Sequence, residues 1–350
     1  MTSVYIREQG AVVGRKGQRL VVKKNGSVIE EFPMNQVDQL IVMGNVQVST
    51  QVLTTLVHKE IDVVFLSSYG KYKFGIQEDK KNASLRQRQL QVVTDGRQTL
   101  PVAQAIVDGK IHNQRVILQR QANRVAGGGK QNRGATIWPR DRNLFNRSLS
   151  EMARMGQAAK QATNLDSLRG YEGNAAKHYF SAIRSLLDKS WGFERRAYHP
   201  PPDPFNALLS FAYSLVLKDV RAAVQMTGLD LYLGFFHETS RGQPSLALDL
   251  MEEWRPLLAD ALVLEMVNRG ALLPDDFVWT KSQRRPVELG EAGVQRVLSA
   301  YGSRLSTQLY HPLAGPGGQT TLYQALILQA RRIARLIAGK ETTYEPMRAK

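Results

Sequence analysis

The chain reads as an α+β multidomain protein: a small N-terminal all-β domain over residues 1–80, then a larger all-α C-terminal domain over residues 81–350. Three observations predict this division. Up to residue 76 the sequence breaks into short runs rich in valine and isoleucine, separated by glycine and asparagine turns. From residue 85 the apolar period lengthens to that of a helix. Between them Glu78-Asp79-Lys80-Lys81-Asn82 is a polar linker. A length of 350 residues suits two domains, and a hydrophobic fraction of 43% is enough for real cores.

Strands are expected over 4–7, 11–14, 19–24, 27–32, 37–43 and 46–48. Asn25-Gly26 between two alternating runs is the strongest short hairpin signal, and Gly17 and Gly44-Asn45 mark further turns. A short helix over 50–58 precedes strands at 62–66 and 71–76. Such a domain leaves a strand edge open for dimerisation. Helices are expected over 85–93, 100–107, 110–126, 143–162, 167–189, 204–226, 245–268, 290–310 and 320–338. Asp203 before Pro204 is a cap followed by proline at the first helical position, while Gly228 and Gly270 stop helices. Gly127-Gly128-Gly129 forms a loop.

The charge is uneven. Lys and Arg number 47 against 31 Asp and Glu, a net +16. Residues 85–160 hold 14 basic and 4 acidic side chains, so +10 of that excess lies in one segment. Its members include Arg86, Arg88, Arg97, Arg115, Arg120, Arg124, Lys130, Arg133, Arg140, Arg142 and Arg147. A concentrated arginine stripe suits bidentate contact with phosphates, although a basic helix face can also be merely solvated. Arg115, Arg120, Arg124, Lys130, Arg133, Arg140 and Arg142 are the expected DNA contacts. The absence of cysteine excludes disulfides, thiolate zinc sites, iron–sulfur clusters and a cysteine nucleophile. The start lacks a signal-peptide pattern, and the most apolar stretch, 205–217, is short of the roughly 20 residues of a membrane span. A soluble, cytoplasmic protein is expected.

Several motifs fail on inspection. Gly127-Gly128-Gly129-Lys130 is followed by Gln131 and no strand precedes it, so it is a poor phosphate loop. His112-Asn113-Gln114-Arg115 has a His-x-x-Arg form that the stripe explains more simply. His237-Glu238 opens like a zincin motif, but position 241 is Arg. No elbow supports a Ser/His/Asp nucleophile.

What survives is a set of acidic and imidazole groups in apolar surroundings. Glu172 lies among small residues and aromatics. His237 ends the apolar run Gly234-Phe235-Phe236, and Asp249 and Glu252 share a face of an otherwise apolar helix that Pro256 bends or breaks. One imidazole nitrogen with carboxylate oxygens suits Mg²⁺ or Mn²⁺, the nitrogen favouring Mn²⁺. Taken singly, each has an ordinary explanation: a dipole-facing carboxylate for Glu172 and Asp249, a packed histidine for His237.

The motifs together resemble a known family. Tyr171-Glu172-Gly173-Asn174-Ala175-Ala176, Pro204-Phe205-Asn206-Ala207-Leu208-Leu209-Ser210, the loop from Gly228-Leu229-Asp230 to Gly234-Phe235-Phe236-His237, and Asp249-Leu250-Met251-Glu252-Glu253-Trp254-Arg255-Pro256 occur in the order found in the CRISPR-associated integrase, Cas protein one of spacer acquisition. The resemblance implies a β domain that mediates homodimerisation and a helical domain that holds a metal. It matches Glu172, His237 and Glu252 to the family's catalytic metal ligands, where Asp is common at the Glu252 position, and Asp249 to a supporting or alternate ligand. Asn206 also matches a family position. It implies insertion of protospacer DNA into a CRISPR array, by attack of a 3′-hydroxyl on a repeat-boundary phosphodiester. The implied partner is the small ferredoxin-like Cas protein two. Two other readings use the same features: a metal-dependent nuclease for branched or single-stranded DNA, and a non-enzymatic DNA-binding subunit that needs the stripe alone.

Overall fold

The β-branched runs before residue 76 build two four-stranded sheets. In the computed structural model, which describes residues 3–37, 39–59, 61–68, 72–76, 83–126, 139–197, 200–238, 240, 242–314 and 317–349, strands β1 (Ser3–Ile6), β2 (Val12–Lys16), β3 (Arg19–Lys24), β4 (Ser27–Pro33), β5 (Gln39–Met43), β6 (Gln47–Val48), β7 (Asp62–Leu66) and β8 (Tyr72–Ile76) pair in the orders β4-β3-β2-β6 and β1-β5-β7-β8. The β3–β4 hairpin turns at Asn25-Gly26, as expected. Strands β1, β5 and β7 are parallel, and helix α1 (Thr50–His58) supplies the crossover that parallel β5 and β7 require.

Every residue of β5 is buried, because both faces of its sheet are covered. Leu40 and Val42 point into a core shared with Val13, Leu20 and Leu56. Ile41 and Met43, one step out of phase, join the helical core, as do Val64 and Leu66 of β7. Edge strand β4 is mostly exposed, with Val28 and Ile29 facing solvent.

The remaining chain is helical: α2 (Ala83–Thr94), α3 (Gly96–Ala126), α4 (Arg142–Lys160), α5 (Leu165–Leu186), α6 (Pro204–Met226), α7 (Ser245–Trp254), α8 (Ala261–Asn268), α9 (Glu291–Leu305) and α10 (Leu322–Ile337). The expected cap holds, Asp203 accepting from the Asn206 amide at 2.8 Å. Three features differ from expectation. Helices expected over 100–107 and 110–126 are one continuous α3. Pro256 does not break its helix: the chain widens into a π-helical turn, Arg255–Asp260, before α8 resumes. Two short ribbons, β9 (Phe277–Trp279) with β10 (Val287–Leu289) and β11 (Gln308–Tyr310) with β12 (Gln319–Thr321), sit among the helices, so the helix expected over 290–310 stops at Leu305. The expected linker 78–82 and the Gly127-Gly128-Gly129 loop lie outside the described residues. No helix among the described residues is long and apolar enough to cross a membrane.

Two buried polar clusters lock the parts together. Lys218 of α6 is wholly buried, 2.6 Å from the Asp219 carboxylate and 3.2 Å from Oε1 of Gln39 on β5. Tyr301 of α9 donates to the other Asp219 oxygen at 2.7 Å. The second cluster anchors the C-terminal segment, residues 341–349, as a strap. Glu253 accepts from the Tyr344 hydroxyl at 2.7 Å and the Met347 amide at 2.5 Å. Asn113 of α3 donates to the Met347 carbonyl and accepts from the Ala349 amide, both at 2.8 Å. Pro346 crosses α3 at Gly109, where a Cβ would come within 2.6 Å.

Removing one partner of a buried ion pair strands the other. Lys218→Ala is expected to destabilise the chain by about 3–5 kcal/mol in urea unfolding; a loss under 1 kcal/mol would contradict that role. Burial pushes the Glu253 carboxyl up to about 7 from its ordinary 4.5, although the Tyr344 and Met347 hydrogen bonds pull the other way. The folded chain therefore retains a proton that the unfolded chain releases. The associated stability is present below the ordinary value and is lost as pH rises through about 7. Unfolding measured across this window should fall more steeply for wild type than for Glu253→Gln; parallel curves would refute the assignment.

Candidate functional site

Helical spacing aims polar side chains into three largely apolar helix faces. On α5, Leu168, Ala175 and Tyr179 are buried, and Glu172 stands in their line. On α3, Ala103, Ile106, Asn113 and Ile117 are buried, and Lys110 occupies the same face. On α7, Asp249 and Glu252 are themselves interior.

Asp249 organises the loop that carries His237. Its carboxylate accepts from the amides of Phe235 at 2.5 Å, Phe236 at 3.0 Å and His237 at 2.9 Å, and lies 2.6 Å from the His237 Nδ1. Because a carboxylate only accepts, Nδ1 carries a ring proton, and Nε2 faces Glu252 Oε1, 3.7 Å away. The loop can lie this close to α7 because residue 234 is glycine: a Cβ there would meet Asp249 Oδ2 and the Ser245 carbonyl carbon at 2.7 Å.

Glu252 is the most crowded member. Arg255 donates to its Oε1 at 2.8 Å, and the Lys110 ammonium lies 2.6 Å from Oε2. That ammonium also hydrogen-bonds Glu172, so it stands between the two carboxylates. Burial alone would raise the Glu252 carboxyl, but Arg255 first, then Lys110 and His237, outweigh it and hold the group well below the usual range. Burial likewise opposes the Lys110 charge, and the Glu172 and Glu252 carboxylates more than restore it.

Lys110 thus joins Glu172 to Glu252, and Glu252 in turn neighbours His237. Among the described residues no three His, Asp or Glu side chains stand close enough together to hold a metal ion as they are. The donor set nonetheless suits a hard divalent cation. His237 offers an imidazole nitrogen on a ring oriented by Asp249, and Glu172 and Glu252 offer carboxylate oxygens. Both Asp249 oxygens are already occupied by the His237 loop. Behind the site, the Tyr213 ring lies between the Arg196 and Arg255 guanidiniums, at 5.2 and 5.3 Å, and Tyr213 and Tyr179 donate to the buried Asp260 at 2.7 and 2.8 Å. Asn206 has a scaffolding position, accepting from Arg196 and the Ala197 amide and donating to the Arg195 carbonyl.

The basic stripe is less uniform than its sequence. Arg86 turns inward to the Gly228 carbonyl, Arg97 pairs with Asp95 and Arg140 with Asp188. Arg120, Arg142 and Arg147 are exposed. Arg115 lines a cavity between α3 and α4. Of Arg124 only the backbone is described; Lys130 and Arg133 lie outside the described residues. Sequence reasoning missed Lys110 and Arg255. The available signal was a lysine on the apolar face of α3, in phase with Ile106 and Ile117.

The sequence profile of "CRISPR associated protein Cas1" matches residues 4–303. A CRISPR-associated endonuclease Cas1 of Thermus thermophilus is 33% identical over 346 residues, 98% of this chain and 96% of its own. Among solved structures, a casposase bound to its integration product superposes with a TM-score of 0.83 at 18% identity, covering 100% of this chain and 95% of that one. A Cas6-RT-Cas1–Cas2 complex gives 0.79 at 23%, covering 99% of this chain and 36% of that one. With the profile spanning most of the sequence and a relative one-third identical along almost all of it, the chain belongs to the CRISPR-associated protein Cas1 family.

Proposed function

We propose that the protein is a cytoplasmic, metal-dependent DNA integrase that inserts protospacer DNA into a CRISPR array. The observation that supports this reading is that Lys110 pairs with both Glu172 of α5 and Glu252 of α7, and that the His237 Nε2 lies 3.7 Å from Glu252 Oε1. A 3′-hydroxyl oxygen of the incoming strand attacks a phosphorus at the repeat boundary. One P–O bond forms as another breaks, and the displaced array strand leaves with a 3′-hydroxyl. No enzyme nucleophile is needed, in keeping with the lack of cysteine. Glu172, His237 and Glu252 would hold a divalent cation, Mg²⁺ or Mn²⁺, which would supply Lewis acidity for the phosphoryl group.

The chain's own groups prepare that chemistry. Asp249 fixes the His237 tautomer and keeps Nε2 turned to Glu252. Arg255 and Lys110 keep the Glu252 carboxylate ionised in an interior that disfavours charge. The DNA is held by the exposed Arg120 of α3 and Arg142 of α4, through backbone phosphates rather than base edges. The exposed β4 edge, with Val28 and Ile29, is the surface proposed for homodimerisation. The Cas2 subunit named in the structurally similar complex supports a small ferredoxin-like Cas protein two as partner. The endonuclease name of the Thermus relative favours a second reading, cleavage of branched or single-stranded DNA without joining.

A supercoiled array plasmid, a pre-processed duplex and the partner protein, incubated with Mn²⁺, separate these readings. Joined products are expected; nicking alone would assign a nuclease. Glu172→Ala and His237→Ala are expected to lower strand transfer by at least a thousandfold while DNA binding persists, and full joining by either would remove the metal-site assignment. Asp249→Asn, which keeps the shape but upsets the His237 tautomer, should cost about 10–100-fold in metal affinity by Mn²⁺ titration. An unchanged isotherm would separate Asp249 from the site.

A further inference from the structure

A second polar cavity lies across α3 from Lys110. Its volume is about 200 Å³, and it is walled by Asp108, His112 and Arg115 of α3, Lys160 of α4 and Arg348 of the C-terminal strap. At about 100° per residue, positions 108, 112 and 115 fall roughly 140–200° around the helix from position 110, so the two sites occupy opposite faces. Asp108 pairs with Lys160 at 3.2 Å and with Arg348. That leaves one carboxylate against three permanent cations. The Nε of Arg115 is buried without a hydrogen-bond partner. His112 Nε2 lies 2.8 Å from the Ala349 carbonyl and so holds the strap that brings Arg348 into place.

A buried guanidinium N–H without an acceptor carries a desolvation cost that an anion would remove. The surplus charge is positive, and a guanidinium with an adjacent ammonium suits a phosphate group. We propose that this cavity is a phosphate subsite that grips the DNA backbone at a point remote from the reacting phosphodiester, with Arg115 as its principal ligand. This rests on the reading of the chain as a DNA-joining enzyme. Its location predicts a binding role alone: loss of Arg115 should raise KM for DNA and leave kcat at saturation intact, because no cavity residue touches Glu172, His237 or Glu252.

The test uses the full chain and a duplex with 3′ overhangs, titrated from 50 to about 300 mM salt. Arg115→Gln is expected to weaken binding about tenfold at 150 mM salt and to lower the slope of log K against log salt by about one. Arg115→Lys should restore the slope, and Arg154→Gln, on exposed α4 surface, should change neither. Thermal unfolding should match wild type, since Arg115 Nε has no partner to lose. Unchanged affinity and slope in Arg115→Gln would overturn the subsite while leaving the joining reaction intact, as would a loss of kcat at saturating DNA. Calorimetry with inorganic phosphate distinguishes the source of the anion. Arg115-dependent phosphate binding with unaltered DNA affinity would assign the cavity to a free anion and reject the DNA subsite. A wild-type chain that binds no DNA would reject both this proposal and the integrase reading.

Discussion

Helix α7 carries three carboxylates, Asp249, Glu252 and Glu253, all inside the protein. An ionised carboxylate left unpaired in an interior costs several kcal/mol, so each must draw a partner from elsewhere in the chain. The tertiary structure is largely the answer to that demand. Asp249 gathers the amides of the His237 loop, Glu252 takes Lys110 from α3 and Arg255 from the following turn, and Glu253 takes the C-terminal strap. Sequence separations of 12, 142 and 94 residues are closed by one ten-residue helix.

These partnerships differ in chemical consequence. Backbone amides and one imidazole make Asp249 an orienting group. Cations make Glu252 an ionised one, while burial outweighs the hydrogen bonds to Glu253 and raises its carboxyl to about 7. Adjacent residues on one helix thus have opposite proton affinities because the helix turns them towards different neighbours. Placing Lys110 between Glu172 and Glu252 offsets part of their negative charge. The π turn after Trp254 lets the helix pass Pro256 without ending, and so keeps Arg255 and Asp260 in the same wall.

Much of this was legible beforehand wherever local chemistry decides the outcome. Helix α1 was expected over the residues it occupies, and the Asn25-Gly26 turn and the Asp203 cap stand where they were read. The break expected between 107 and 110 is absent: Gly109 lies inside an unbroken α3, where it admits Pro346. The ribbons at 277–289 and 308–321 escaped because strands of three residues carry too little alternation to stand out from helical noise. The basic segment was visible as composition, but not its division into inward, paired and exposed arginines, since each depends on what packs opposite.

The sequence by itself determined the residue types available for chemistry: no thiol, a surplus of arginine in one segment, and a few carboxylates and one histidine embedded in apolar runs. It also determined the order of motifs that marks the family. Only the tertiary structure decided which of those groups meet. It made Asp249 the orienting group for His237, put Lys110 and Arg255 beside Glu252, and faced Arg115 away from that site across α3. The physical reason is that periodicity sets the face of a helix on which a side chain lies, whereas the charge it meets there is supplied by segments far along the chain.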